Sequence, residues 1–158
     1  MSERRERASF GAGCFWGVQA RFDEVPGVVE TTVGYQGGHT EAPTYEQVCA
    51  KRTGHAEVCE VVWDPERVTY DELLAAFWKM HDPTQLDRQG PDVGDQYRSV
   101  LFCTTEAQEH AARASLEAER AGGRHRGEVV TRVERAPTFW PAEDYHQKYL
   151  ARRNCKRC

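Results

Sequence analysis

Apolar and polar residues along this chain change period several times, and each change predicts an element. Residues 8–12 form a short glycine-bounded stretch that reads as a strand running into Cys14. Phe15, Val18, Phe22 and Val25 then recur at helical spacing over 15–25, and Pro26-Gly27 ends the run. Residues 28–35 are β-rich and stop at Gly37-Gly38, and 55–63 predict a further strand ended by Asp64-Pro65. The clearest helix spans 69–80. Thr69 and Glu72 form a T-x-x-E capping box, and Leu73, Leu74, Phe77 and Trp78 make one apolar face. A short apolar strand at 99–103 precedes an Ala- and Glu-rich helix at 105–121, closed by Gly122-Gly123. Residues 128–134 alternate as a strand does, and 141–151 suggest a short helix with Pro141 in its first turn. The polar stretches 36–54 and 81–97 read as long loops, a length that compact domains often use functionally.

The order β-α-β-β-α-β-α-β predicts an α+β fold, a two-layer α/β sandwich whose β-α-β-β-α-β part is a ferredoxin-like split βαβ core. With 158 residues the chain is expected to be one catalytic domain, with 1–7 a flexible N-terminus and 151–158 a mobile cysteine-bearing tail. Net charge is −4 and mean hydropathy −0.74, so no basic footprint for nucleic acid is present. No apolar run approaches the ~18 residues of a membrane span, and "MSERRERASF" has no apolar signal core. The expectation is a soluble cytoplasmic monomer without nucleic-acid or membrane partners.

Six cysteines, 14, 49, 59, 103, 155 and 158, are too sparse for a secreted disulfide scaffold. Cys14 lies between Gly13 and the aromatics Phe15 and Trp16, at the start of a predicted helix. A helix N-terminus favours a thiolate, whereas apolar neighbours favour a buried structural thiol, and both readings stand on this stretch alone. Phe15 and Trp16 point about 100° apart on a helix, so both cannot share one core direction. Glu57 and Glu60 have opposite strand parity. Glu57 is either an exposed strand residue or a partly buried acid able to donate a proton near neutral pH. Tyr45, Asp92 and Tyr97 lie in the two loops, where each tyrosine could pack or donate a hydrogen bond. Cys155 and Cys158 are spaced C-x-x-C in the basic tail, and the histidines supply no matching ligand pair, so no metal is expected.

Taken together, "GCFWG" (13–17), "VGYQGG" (33–38), "PTYEQVC" (43–49), "TGHAEV" (53–58), "FWKMHDPTQ" (77–85), "QGPDVGDQYRS" (89–99) and "PAEDYHQKYL" (141–150) closely resemble the A-type peptide methionine sulfoxide reductases. The resemblance runs from residue 8 to about 150 and implies reduction of methionine-S-sulfoxide, free or in proteins. It implies Cys14 as nucleophile, Phe15 and Trp16 as the pocket for the S-methyl, and Glu57 as the acid. Tyr45 and Tyr97 would bind the sulfoxide oxygen, with Asp92 supporting them. Cys155 would resolve the sulfenic acid, Cys158 could relay the disulfide, and thioredoxin would be the external reductant, with no bound cofactor. Gln19, Lys51, Cys59 and Cys103 depart from the usual pattern. Two rival readings, a Cys14 hydrolase using His55 or His146 and a small redox or zinc module using Cys155 and Cys158, leave Glu57, Tyr45 and Tyr97 without roles.

Overall fold

The computed structural model describes residues 4–152. Five helices, α1 (Phe15–Asp23), α2 (Tyr45–Cys49), α3 (Tyr70–Lys79), α4 (Glu106–Ala121) and α5 (Tyr149–Arg152), accompany eight strands. The strands are β1 (Glu6–Ala12), β2 (Val28–Gln36), β3 (Ala56–Trp63), β4 (Arg88–Gln89), β5 (Asp92–Val93), β6 (Ser99–Cys103), β7 (Arg132–Arg135) and β8 (Trp140–Pro141). Six of them form one sheet in the order β7-β6-β1-β3-β2-β8, and β4 and β5 form a separate small hairpin. β3 runs antiparallel to both β1 and β2, and β6 antiparallel to β1, while β7 joins β6 in parallel.

Strand parity divides the sheet into two faces. Phe10, Cys59, Val61 and Leu101 point toward Phe15, Phe22, Leu73, Leu74 and Phe77 of the helices, and all are fully buried. Removing each of the large side chains from water contributes about 1.5–3 kcal/mol. Ala56, Val58, Val100 and Phe102 line the opposite face, covered by Ala136 and Phe139. The α3 capping box forms as the sequence predicts: Thr69 Oγ1 accepts from the Glu72 N–H at 3.1 Å and Glu72 Oε1 from the Thr69 N–H at 2.9 Å.

The predicted loops are more ordered than their polarity suggests. Within 36–54, Thr44 and Gln47 make a second capping box that starts α2, a T-x-x-Q pattern legible in "TYEQ". Within 81–97 lie the β4–β5 hairpin and a single 3-10 turn, Asp95–Tyr97. The strand expected over 128–134 shortens to β7, because Val130 N–H instead donates to the Pro83 carbonyl. The helix expected over 141–151 does not form. Pro141 sits in β8, Asp144–His146 make a 3-10 turn, and Lys148 takes a left-handed φ of 56°, so only α5 is helical. The N-terminal segment expected to be flexible is ordered from β1, where Glu6 and Arg7 pair with Trp63 and Val62.

Candidate active site

Cys14 is the N-cap residue of α1, carried there by β1 through the left-handed turn at Gly13, φ 98°. The N–H groups of Trp16 and Gly17 point at its thiol and favour the charged form. Burial and the nearby Glu57 charge oppose them more strongly, and the thiol is pushed up to about 11. Of the two opposing effects that the sequence left open, burial outweighs the helix N-terminus.

Glu57 stands on the helical face of β3, 1% exposed, so it is not the exposed strand residue that sequence left open. Its Oε1 accepts the Phe15 N–H at 3.2 Å, one residue beyond Cys14. Burial, aided by Asp92, raises the carboxyl to about 8, against the lowering effect of the Phe15 N–H and the Gln96 amide. Glu57 Oε2 has no hydrogen-bond partner. A neutral acid with a free oxygen beside a half-buried thiol can give a proton to an incoming group.

The two phenols arrive from different loops. Tyr45 opens α2, its N–H donating to Glu143 Oε2 at 2.9 Å, and Tyr97 ends the 3-10 turn after β5. Burial raises both phenols, and the Glu57 charge raises them further, which places both in its field. Asp92, in β5, acts on Cys14, Glu57 and Tyr97 alike. The loop carrying Asp92 and Tyr97 is anchored by His81, whose ring bonds the Phe77 carbonyl at 2.9 Å and Ser99 Oγ at 2.8 Å, while Ser99 meets Thr131 at 2.7 Å.

Phe15 and Trp16 have separate environments. Phe15 is 1% exposed and packs on Tyr35 and His146, whereas Trp16 stays half-exposed and stacks on Tyr149 at 3.8 Å between ring centroids. Trp16 Nε1 donates to His146 Nδ1 at 2.9 Å, and the His146 ring lies 4.4 Å from Tyr45.

Five further groups, given no role in the reductase reading of the sequence, complete the site: Gln19, Gln96, Glu143, His146 and Tyr149. Glu143 bridges two elements by accepting the Tyr35 hydroxyl and the Tyr45 N–H, each at 2.9 Å. Partial burial works against its charge, yet those bonds hold it below the usual carboxylate range. Gln19 is buried; its amide accepts the Lys148 N–H at 2.8 Å and donates to the Thr31 carbonyl and hydroxyl. Residues 142–152 are thereby fastened beside α1. Cys155 and Cys158 lie outside the described residues. Cys59 and Cys103 are buried in strands, and Cys49 sits near Tyr45 and Gln96.

The hydrolase rival fits poorly. Both His55 nitrogens are taken, one by the Gly38 N–H and the other by the Thr40 carbonyl; His146 Nδ1 is taken by Trp16 and its Nε2 has no hydrogen-bond partner among the described residues, so neither ring is bonded to Cys14. Among the described residues no group of three or more His, Cys, Asp or Glu could hold a metal, and no helix is long and apolar enough to cross a membrane.

The sequence profile of peptide methionine sulfoxide reductases matches residues 6–158. The chain belongs to the peptide methionine sulfoxide reductase family. The reductase MsrA of Geobacter sulfurreducens is 60% identical over 153 residues, 97% of this chain and 94% of that one. Among solved reductases, methionine sulfoxide reductase A of Corynebacterium diphtheriae superposes with a TM-score of 0.91 at 40% identity, covering 99% of this chain and 79% of that chain. Mxr1 of Saccharomyces cerevisiae in reduced form gives 0.89 at 30% identity over 100% and 91% of the two chains, and Mxr1 has also been solved in complex with Trx2. This chain is thus an enzyme of the methionine sulfoxide reductase class with the mixed α/β fold of its relatives.

Proposed function

We propose that this reductase converts methionine-S-sulfoxide, free or in proteins, to methionine through Cys14. The observation that carries the reading is the buried Glu57 carboxyl, raised to about 8 and bonded to the Phe15 N–H at the start of the helix that Cys14 caps. Glu57 gives its proton to the sulfoxide oxygen while Tyr45 and Tyr97 hold that oxygen, and Asp92 supports them. Phe15 and Trp16 bound the space for the S-methyl group. As the oxygen takes the proton the substrate sulfur becomes more electrophilic, and the Glu57 carboxylate left behind can accept the proton of the attacking Cys14 thiol. Cys14 Sγ bonds the sulfoxide sulfur; the S–O bond and the new Sγ–S bond then break as the hydroxyl passes to Sγ, and two electrons move from the thiol to the substrate sulfur. The net step converts thiol and sulfoxide to Cys14 sulfenic acid and thioether.

The Cys155 thiol then condenses with the sulfenic acid, releasing water and forming a Cys14–Cys155 disulfide. Cys158 can take over the bond with Cys155, and a thioredoxin dithiol reduces it, so the cycle needs no bound cofactor. The complex of yeast Mxr1 with Trx2 is in keeping with that reductant. The strand order β6-β1-β3-β2, all antiparallel, supports a ferredoxin-like core, and the family match over 6–158 supports one catalytic domain. Replacing Cys14 by Ser tests the assignment: reduction of dabsyl-methionine-S-sulfoxide is expected to vanish, and retained turnover would overturn it.

A further inference from the structure

Helix α1 presents two stripes beside the site. Trp16, Gln19 and Asp23 face the segment 142–152, with Lys148 Nζ on Asp23 Oδ1 at 2.9 Å. Cys14, Gly17, Val18 and Arg21 form the other stripe at i, i+3, i+4 and i+7, and with Ala12 and Met80 they line an open cavity of about 150 Å³. Cys14 is therefore reachable from a side that Trp16 does not occupy.

Two features of this cavity lack an internal explanation. Gly17 lies inside α1, where glycine costs about 0.5–1 kcal/mol relative to alanine, yet nothing stands within 4 Å of the place a Cβ would take. Packing within the chain does not require a glycine there; an incoming group would. Arg21, at the far end, is exposed and makes no side-chain hydrogen bond or ion pair among the described residues. The basic tail, with Arg152, Arg153, Lys156 and Arg157, is an electrostatically poor occupant for such a cation. An acidic polypeptide is a favourable one.

We propose that this groove is a subsite for the polypeptide chain flanking the sulfoxide, taking an apolar side chain over Gly17, Val18 and Met80 and a carboxylate at Arg21. It rests on Cys14 being the nucleophile. Arg21 follows Cys14 by about 10 Å along the helix, at ~1.5 Å per residue. An extended peptide covers that span in about three residues at ~3.3 Å each. The preferred substrate is thus a methionine sulfoxide with an apolar neighbour and an aspartate or glutamate about three residues away.

The test compares two peptides that differ only in the residues three positions to either side of methionine-S-sulfoxide, aspartate in one and lysine in the other, with leucine next to the sulfoxide in both. The wild-type kcat/KM is expected to favour the acidic peptide on the order of 5-fold, the scale of an exposed ion pair gained in one and opposed in the other, and to lose the preference at high salt. Arg21→Glu should invert the ratio. Gly17→Ala should raise Tm while lowering peptide kcat/KM relative to free methionine sulfoxide, a pairing that a merely structural glycine would not give. Equal wild-type rates for the two peptides, or a ratio untouched by Arg21→Glu, would overturn the subsite alone. Slower disulfide formation in Arg21→Glu with no peptide preference would assign the groove to the tail and also overturn it. Retained peptide reduction in Cys14→Ser would overturn the nucleophile assignment on which the subsite rests.

Discussion

The Phe15 N–H donates to Glu57 Oε1 at 3.2 Å, joining the first residue of α1 to the central strand of the sheet. That single bond sets the distance between the helix capped by Cys14 and the acid, whose sequence positions are 43 residues apart. It also withholds one carboxyl oxygen from substrate and leaves Oε2 as the oxygen that can carry the proton.

Because burial raises Glu57 from 4.5 to about 8, the folded chain keeps a proton there that the unfolded chain has released. Between about pH 4.5 and pH 8 that group makes folding less favourable as pH rises, with the contribution complete above 8. Glu57→Gln removes this slope. Thermal melts at pH 6 and pH 9 should show the variant losing less stability than wild type over that interval.

The proposed mechanism makes the same carboxyl the proton donor of the first chemical step. Rapid-quench measurement of methionine release should show the wild-type rate declining as pH climbs through about 8, where Glu57 gives up its proton. In Glu57→Gln that decline disappears and the rate falls on the order of 10²-fold or more. An unchanged rate would remove Glu57 from the acid role.

Tyr45 and Tyr97 come from separate loops, and the proposed mechanism gives both the same sulfoxide oxygen to hold. Each Tyr→Phe change keeps the ring and removes the hydroxyl, so each single variant should lose up to ~10²-fold in kcat with a smaller change in KM. The double variant should lose more than either. A double variant that reduces substrate at the wild-type rate would show that the phenols only pack.

Gln19 fixes the segment that leads to the tail. Gln19→Ala leaves the Lys148 N–H without its partner and should cost about 1–3 kcal/mol of stability, read by urea denaturation. It should also slow Cys14–Cys155 disulfide formation more than it slows the first methionine release, because α5 is tied to α1 through that amide. Glutamate at the same position can accept from Lys148 but, when charged, cannot donate to the Thr31 carbonyl, so Gln19→Glu should rescue only part of the loss.

Elements with a complete local signal were legible in the sequence. α3 has its cap and apolar face in contiguous residues, and α1 its four-residue apolar spacing closed by Pro26-Gly27. Residues 141–151 misled because Gln147 uses its side chain as a strand-like partner of Val33, with its Oε1 accepting the N–H and its Nε2 donating to the carbonyl, each at 2.9 Å. A bond between residues 114 apart leaves no local trace. Glu57 was recognisable as an oddity in an apolar strand, but its burial depends on α1 lying over it. The Cys14 acidity stayed open in the sequence for the same reason: helix placement is local, whereas burial and the Glu57 charge come from elsewhere in the fold. His146 reaches the site through contacts with Phe15, Trp16 and Tyr45, and Tyr149 by stacking on Trp16, which no spacing rule encodes.

The most direct measurement of the central claim is thiol mapping by mass spectrometry after reduced enzyme meets one equivalent of methionine-S-sulfoxide. Wild type should show a Cys14–Cys155 disulfide or its Cys155–Cys158 successor, and Cys155→Ser should show a trappable sulfenic acid on Cys14 with one methionine released per chain. Methionine release with Cys14 still a free thiol, or with the first oxidation on Cys49, would contradict the account.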